Sequence, residues 1–230
     1  MNNGGSRKTM DVGILGGTFD PIHKGHLGIA IHAMDTFSLE SILLIPAGNP
    51  WLKSGQVISG SIHRVAMAAL VAKEDPRLFV SEIETNRPGP SFTVDTLEEL
   101  HKMYGTKLTL YLILGLDAFY NIPLWRNPKR IFELANLIVV SRPGVRDQSF
   151  REDLDKVLPE TPYSPLPMSE KGTMPIRYGR VNFLDGPKFD ISATEIRQRV
   201  AKGCTIDGWV SDNVRQYIQK HRLYQEEGSR

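Results

Sequence analysis

His23 and His26 are the side chains of this sequence whose type and spacing most directly offer chemistry. Three positions apart at the start of a helical pattern, two imidazoles share one face of a first helical turn and can donate hydrogen bonds to one anionic group. The segment before them, Gly16-Gly17-Thr18-Phe19-Asp20-Pro21-Ile22, is a glycine turn. Glycines let a backbone approach phosphate oxygens closely, and a helix start presents unpaired N–H groups and the positive end of a dipole. A triphosphate fits such a turn. On spacing alone, the histidine pair reads equally well as a helix cap or as two ligands of a metal ion.

Two further clusters sit where a nucleotide could be held. Gly115-Leu116-Asp117 follows the apolar run Leu110–Leu114, and ligands of open α/β sheets bind beyond the carboxyl ends of strands. Asp117 there reads either as a ribose acceptor or as the cap of the next helix. Ser192 and Glu195 have the spacing of a capping box, which by itself marks only a helix start.

The elements that must position these residues follow from periodicity. Val12–Leu15 reads as a buried strand running into the glycine turn, and Leu27, Ala30, Ile31 and Met34 form the stripe of a helix packed on a sheet. Ser41–Pro46 is a second buried strand, which completes a βαβ unit. Helical patterns over Ile62–Lys73 and Thr93–Tyr104 alternate with strand-like Leu78–Ile83, Leu108–Leu114 and Leu137–Ser141. That alternation predicts an α/β fold with a doubly wound, parallel sheet. Residues 144–179 are rich in proline and read as an irregular excursion, helical only at Phe150–Leu158. Val181–Leu184 is a last strand. The helical stretches Ala193–Lys202 and Asp212–His221 close the chain as a small C-terminal subdomain, 185–230, of the same folding unit as the main domain, 11–184. Residues 1–10 are read as a flexible tail.

Placed between that first strand and first helix, the string from Gly16 to His26 resembles the nucleotidyltransferase superfamily, which carries paired histidines spaced as here (HxGH). The longer GGTFDPIHxGHL is similar to the bacterial nicotinate-mononucleotide adenylyltransferases, and the likeness runs from about Asp11 to Tyr224. The resemblance implies a Rossmann-like fold that transfers the adenylyl group of ATP to nicotinic acid mononucleotide. It places ATP against Gly16, Gly17, Thr18, Phe19, His23, His26, Gly115, Asp117, Ser192, Thr194 and Arg197, with His23, His26 and Arg197 catalytic. Ile191-Ser192-Ala193-Thr194-Glu195-Ile196-Arg197 matches the family's ISxTxIR segment, which contacts the ATP phosphates. Lys53, Phe92, Thr93 and Trp125 are implied to hold the acceptor, Trp125 by stacking on the pyridine ring. Many relatives have PPHK where this chain has Pro50-Trp51-Leu52-Lys53, so Leu52 replaces a histidine. Mg²⁺ is implied to accompany ATP, with no protein-held metal.

Composition limits the alternatives. A net charge of +2 and scattered basic residues exclude an extended nucleic-acid or membrane surface and favour a small anionic ligand. The lone Cys204 excludes an internal disulfide and any multi-cysteine metal site, which accords with a cytoplasmic protein. No GxxxxGK[ST] or GxGxxG string occurs, so neither a Walker-type ATPase nor an ordinary dinucleotide oxidoreductase is supported. The remaining alternatives are adenylylation of nicotinamide mononucleotide or phosphopantetheine, and a nucleotide-binding module without turnover. Subunit assembly is not legible in the sequence.

Overall fold

The computed structural model describes residues 9–50, 57–141, 176–178, 181–186 and 191–225. Its strands are β1 (Met10–Gly17), β2 (Ser41–Pro46), β3 (Leu78–Val80), β4 (Leu108–Gly115), β5 (Asn136–Ser141), β6 (Ile176–Tyr178) and β7 (Val181–Asp185). The helices are α1 (Lys24–Phe37), α2 (Ser61–Ala72), α3 (Thr93–Tyr104), α4 (Leu116–Tyr120), α5 (Pro128–Leu134), α6 (Ala193–Ala201) and α7 (Asp212–Lys220).

The strands form one sheet in the order β3-β2-β1-β4-β5-β7-β6. Six are parallel, and β6 pairs antiparallel with β7 at one edge. The doubly wound parallel sheet expected from the alternation of patterns is therefore present. The chain builds outward from β1 through β2 to β3, then returns to place β4 on the other side of β1. That reversal opens a crevice beyond the ends of β1 and β4, the place where open α/β sheets bind ligands.

Alternation along each strand divides the core into two layers. Val12 and Ile14 of β1, Leu110, Leu112 and Leu114 of β4, and Leu137 and Val139 of β5 pack on α3 and α5. Leu15, Ile113, Ile138 and Val140 face the opposite layer with α1 and α2. Ile196, Ile206, Val210, Val214 and Ile218 belong to this second layer, so the C-terminal helices share the core of the main domain. Among the described residues, no helix is long and apolar enough to cross a membrane.

Three boundaries differ from the periodicity reading. Met10, placed in the tail, pairs with Leu108, and its half-exposed side chain gives no burial signal in the sequence. The strand read as Leu78–Ile83 stops at Val80, since Asn86 N–H donates to the Glu82 carbonyl and turns the chain. Ile176–Tyr178, inside the excursion, is an edge strand too short to show a period. The predicted Phe150–Leu158 helix lies outside the described residues.

Candidate active site

The turn after β1 carries one buried aromatic ring and leads to a tightly packed glycine. Phe19 adopts a left-handed backbone conformation (φ 52°), rare for a bulky residue, while its ring is buried and meets the His26 ring edge-on at 5.1 Å. What Phe19 contributes is therefore the turn's shape, since its side chain belongs to the core. Gly25 serves the next residue pair: a Cβ there would lie 3.0 Å from His23 Nδ1, close enough that the imidazole would have to shift.

His23 is the N-cap of α1 and His26 its third residue. The His23 backbone N–H donates to His26 Nδ1 at 3.2 Å. An accepting Nδ1 leaves the proton of the neutral ring on Nε2, from which it can be donated to a ligand. The two rings stack with centroids 3.7 Å apart. His23 is buried, its Nδ1 has no partner among the described residues, and burial lowers its pKa to about 4. A buried polar atom of this kind marks a candidate functional site.

That depressed pKa has a sign that can be measured. The unfolded chain takes up the His23 proton at its ordinary 6.5 and the folded chain only near 4. The stabilisation is complete above pH 6.5 and is lost as pH falls towards 4, by roughly 3 kcal/mol in total. His23→Gln should flatten the stability curve across that window in denaturant titrations at stepped pH. An equal slope in both proteins contradicts the assignment. Bound polyphosphate should move the His23 titration upward in NMR, because neighbouring negative charge favours the imidazolium.

The helix α6 meets the same turn. Ser192 Oγ accepts from Glu195 N–H at 3.1 Å, so the predicted cap is present. Arg197 donates from Nη1 to the Asp20 carbonyl at 2.7 Å and from Nη2 to Thr194 Oγ1 at 3.3 Å. The structure thus brings Arg197, Ser192 and Thr194 to the histidine turn from a segment far away in the chain. Asp20 is buried: its Oδ2 accepts from Ser59 N–H at 3.1 Å and its Oδ1 from the Tyr224 hydroxyl at 2.7 Å. Burial, and the Asp20 charge next to it, push the Tyr224 phenol far above its usual range, so it serves as a fixed donor.

Gly115 and Asp117 are exposed at the end of β4, on the β4 side of the crevice. Asp117 lies in the first turn of α4, with its carbonyl accepting from Asn121. Its side chain is exposed.

Beside the turn lies a cavity of about 350 Å³, lined by Gly16, Gly17 and Thr18 on one side and by Phe92, Thr93 and Trp125 on the other. His23, His26, Asp117 and Arg197 do not line it. Phe92 is the N-cap of α3, so the first N–H groups of that helix open beside the cavity. The Trp125 indole N–H is buried without a partner among the described residues. Lys53 and Leu52 lie outside the described residues.

Two lining residues, Arg126 and Glu84, carry no motif and escape sequence reading. Arg126 stands over the Phe92 ring at 5.0 Å and pairs with Asp95 at 3.1 Å. Glu84 is mostly enclosed; desolvation raises its pKa, opposed by hydrogen bonds from Thr96 and Ser91 and by the nearby Arg87. Ser91 Oγ accepts the backbone N–H groups of Gly48 and Asn49, each at 3.1 Å, which docks the loop before α3 onto the turn after β2. Gly48 must be glycine, because a Cβ would fall well inside van der Waals contact distance of the Glu84 carbonyl oxygen.

The cytidylyltransferase-like family matches residues 14–199, which spans the histidine turn and α6. A protein of Roseiflexus sp. that carries the name probable nicotinate-nucleotide adenylyltransferase is 44% identical over 93% of this chain and 97% of its own length. The chain belongs to the nicotinate-nucleotide adenylyltransferase family. A family member from Corynebacterium glutamicum is 36% identical over 95% of this chain and 90% of its own. In three dimensions the chain resembles Plasmodium falciparum nicotinic acid mononucleotide adenylyltransferase complexed with NaAD, with a TM-score of 0.70. That likeness covers 94% of this chain and 97% of the other at 18% identity, a similarity of fold.

Among the described residues, no group of three His, Cys, Asp or Glu stands close enough together to hold a metal ion. The groups at the turn are backbone N–H groups and the imidazoles of His23 and His26, none of them the oxygen ligands that a hard cation prefers.

Proposed function

We propose that this protein transfers the adenylyl group of ATP to nicotinic acid mononucleotide, releasing pyrophosphate and forming nicotinic acid adenine dinucleotide. The observation that carries this reading is a cavity whose walls include the glycine turn and Phe92, Thr93 and Trp125. One wall suits a polyphosphate, the other a flat ring bearing an anion. The names of the family members point to the same pair of substrates.

An acceptor phosphate oxygen attacks the α-phosphorus of ATP, and the bond from that phosphorus to the oxygen bridging to the β-phosphate breaks. The electron pair leaves with pyrophosphate. Because the nucleophile is already ionised at neutral pH, no side chain need remove a proton, and the protein's task is alignment and charge stabilisation. His26 supplies an Nε2–H donor, His23 a buried imidazole, and Arg197 with the start of α6 a cation and N–H groups for the departing pyrophosphate. Mg²⁺ enters as part of the nucleotide substrate, held by phosphate oxygens and water, and neutralises phosphate charge. An ATP-dependent step with a lone exposed cysteine suits the cytoplasm.

Pyrophosphate release measured with a panel of acceptors tests the proposal. Nicotinic acid mononucleotide should give the highest kcat/KM, and a preference for phosphopantetheine overturns it. Arg197→Ala should raise the KM for ATP by about tenfold, the cost of one charge-assisted hydrogen bond, while moving the acceptor KM far less. ATP kinetics that stay unchanged in that variant remove Arg197 from the phosphate site.

A further inference from the structure

Arg64 is the largest fully buried side chain of the described residues, 2% exposed, and it lies on the apolar stripe of α2 with Met67, Ala68 and Val71. A cation at such a position is costly unless its donors are satisfied. Here they are satisfied by backbone carbonyls from three separate segments. Nε donates to Ser59 at 3.0 Å, Nη1 to Thr18 at 2.9 Å and to Ala47 at 2.6 Å, and Nη2 to Gly48 at 3.2 Å.

The location of those carbonyls is informative. Thr18 belongs to the turn that follows β1 and bears the histidines, whereas Ala47 and Gly48 form the turn that follows β2. The second turn is in turn bonded to Ser91, next to Phe92 and Thr93. Ser59 closes the circuit, because its N–H donates to the Asp20 carboxylate while its carbonyl accepts from Arg64. One planar fork therefore ties the nucleotide side of the cavity to the acceptor side. A guanidinium can do this because its N–H groups diverge in a fixed plane, whereas an ammonium offers three donors at one point.

We infer that Arg64 is a positioning residue for adenylyl transfer: it sets the spacing between the ATP turn and the acceptor turn, and so the in-line approach of the acceptor phosphate to the α-phosphorus. The inference rests on the function proposed above. It predicts a division that simple structural support does not. Each substrate is held mainly by its own turn, so separate binding should survive loss of the fork, while the step that needs both turns in register should suffer.

The test compares wild type with Arg64→Lys at a temperature well below the unfolding transition of both, as fixed by circular dichroism. Non-hydrolysable ATP analogue and nicotinic acid mononucleotide are titrated separately by calorimetry, and single-turnover rates are measured at saturation. We expect each Kd within about threefold of wild type and a single-turnover rate lower by about tenfold or more. An unchanged rate per folded molecule, or a loss explained wholly by weaker binding of one substrate, overturns the inference. Should Arg64→Lys not fold, amide hydrogen exchange of wild type decides: the ATP analogue alone should slow exchange at Ala47–Asn49 as well as at Thr18–Asp20. Protection confined to Thr18–Asp20 overturns the inference. Failure of the proposed function is distinguishable, because wild type itself would then give no transfer to nicotinic acid mononucleotide.

Discussion

His26→Ala lowers kcat by about a hundredfold or more while leaving the protein folded, the cost of removing one donor aimed at a transition state. The expectation comes from the tautomer that the turn imposes. With Nδ1 accepting the His23 backbone N–H, the ring presents Nε2–H, and the Phe19 edge and the His23 ring fix its plane. A donor held in place before the reaction costs no reorganisation as charge develops. The structural loss is small by comparison: one bond at a helix start, worth about 1 kcal/mol. Single-turnover adenylyl transfer and a thermal melt on the same sample separate the two effects. A rate near that of wild type defeats the assignment, and a collapse of the melt shows that His26 acts chiefly as a cap.

The second large effect concerns acceptor choice. Nicotinic acid mononucleotide should exceed nicotinamide mononucleotide by at least about tenfold in kcat/KM, the value of one charge-assisted hydrogen bond. An aromatic face such as Trp125 stacks on either ring, and stacking does not distinguish carboxylate from amide. The N–H groups at the start of α3 do, since they pair with an anion and meet an amide NH₂ poorly. Arg126, fixed by Asp95 and the Phe92 ring, adds positive charge on the same side. Trp125→Ala should therefore weaken both acceptors and leave their ratio near that of wild type. If the ratio collapsed while the acid form still bound normally, the division between stacking and carboxylate recognition would be wrong.

What could be read in the sequence were features confined to short windows. The turn from Gly16 to His26, the cap at Ser192 and the alternation of strand and helix are each set by neighbours within a few residues, and each is where it was expected. Contacts that depend on the sheet order were not legible. Asp20 meets Ser59 and Tyr224, and Arg64 meets Thr18, across separations that no local pattern encodes. Arg64 did leave a trace: with Met67, Ala68 and Val71 it completes an i, i+3, i+4, i+7 stripe, so a charge stands where periodicity asks for an apolar residue. Arg126 and Glu84 left none, because a charged residue beside a tryptophan or in a loop is ordinary at a surface. The ring of Phe19, a residue expected in the nucleotide turn, packs in the core, which no local pattern indicates.

The bond from the Tyr224 hydroxyl to Asp20 spans 204 positions of the chain. The histidine turn is therefore latched by a residue far along the chain, and until that contact closes Asp20 lacks one of its two side-chain oxygen partners. A buried carboxylate in that condition carries the cost of an unsatisfied polar group. That contact closes with the docking of α7, whose Val214 and Ile218 bring the following residues back across the second core layer. Contacts of such long range are slow to close. The final shape of the turn that carries His23 and His26 thus waits on one of the longest-range contacts of the fold.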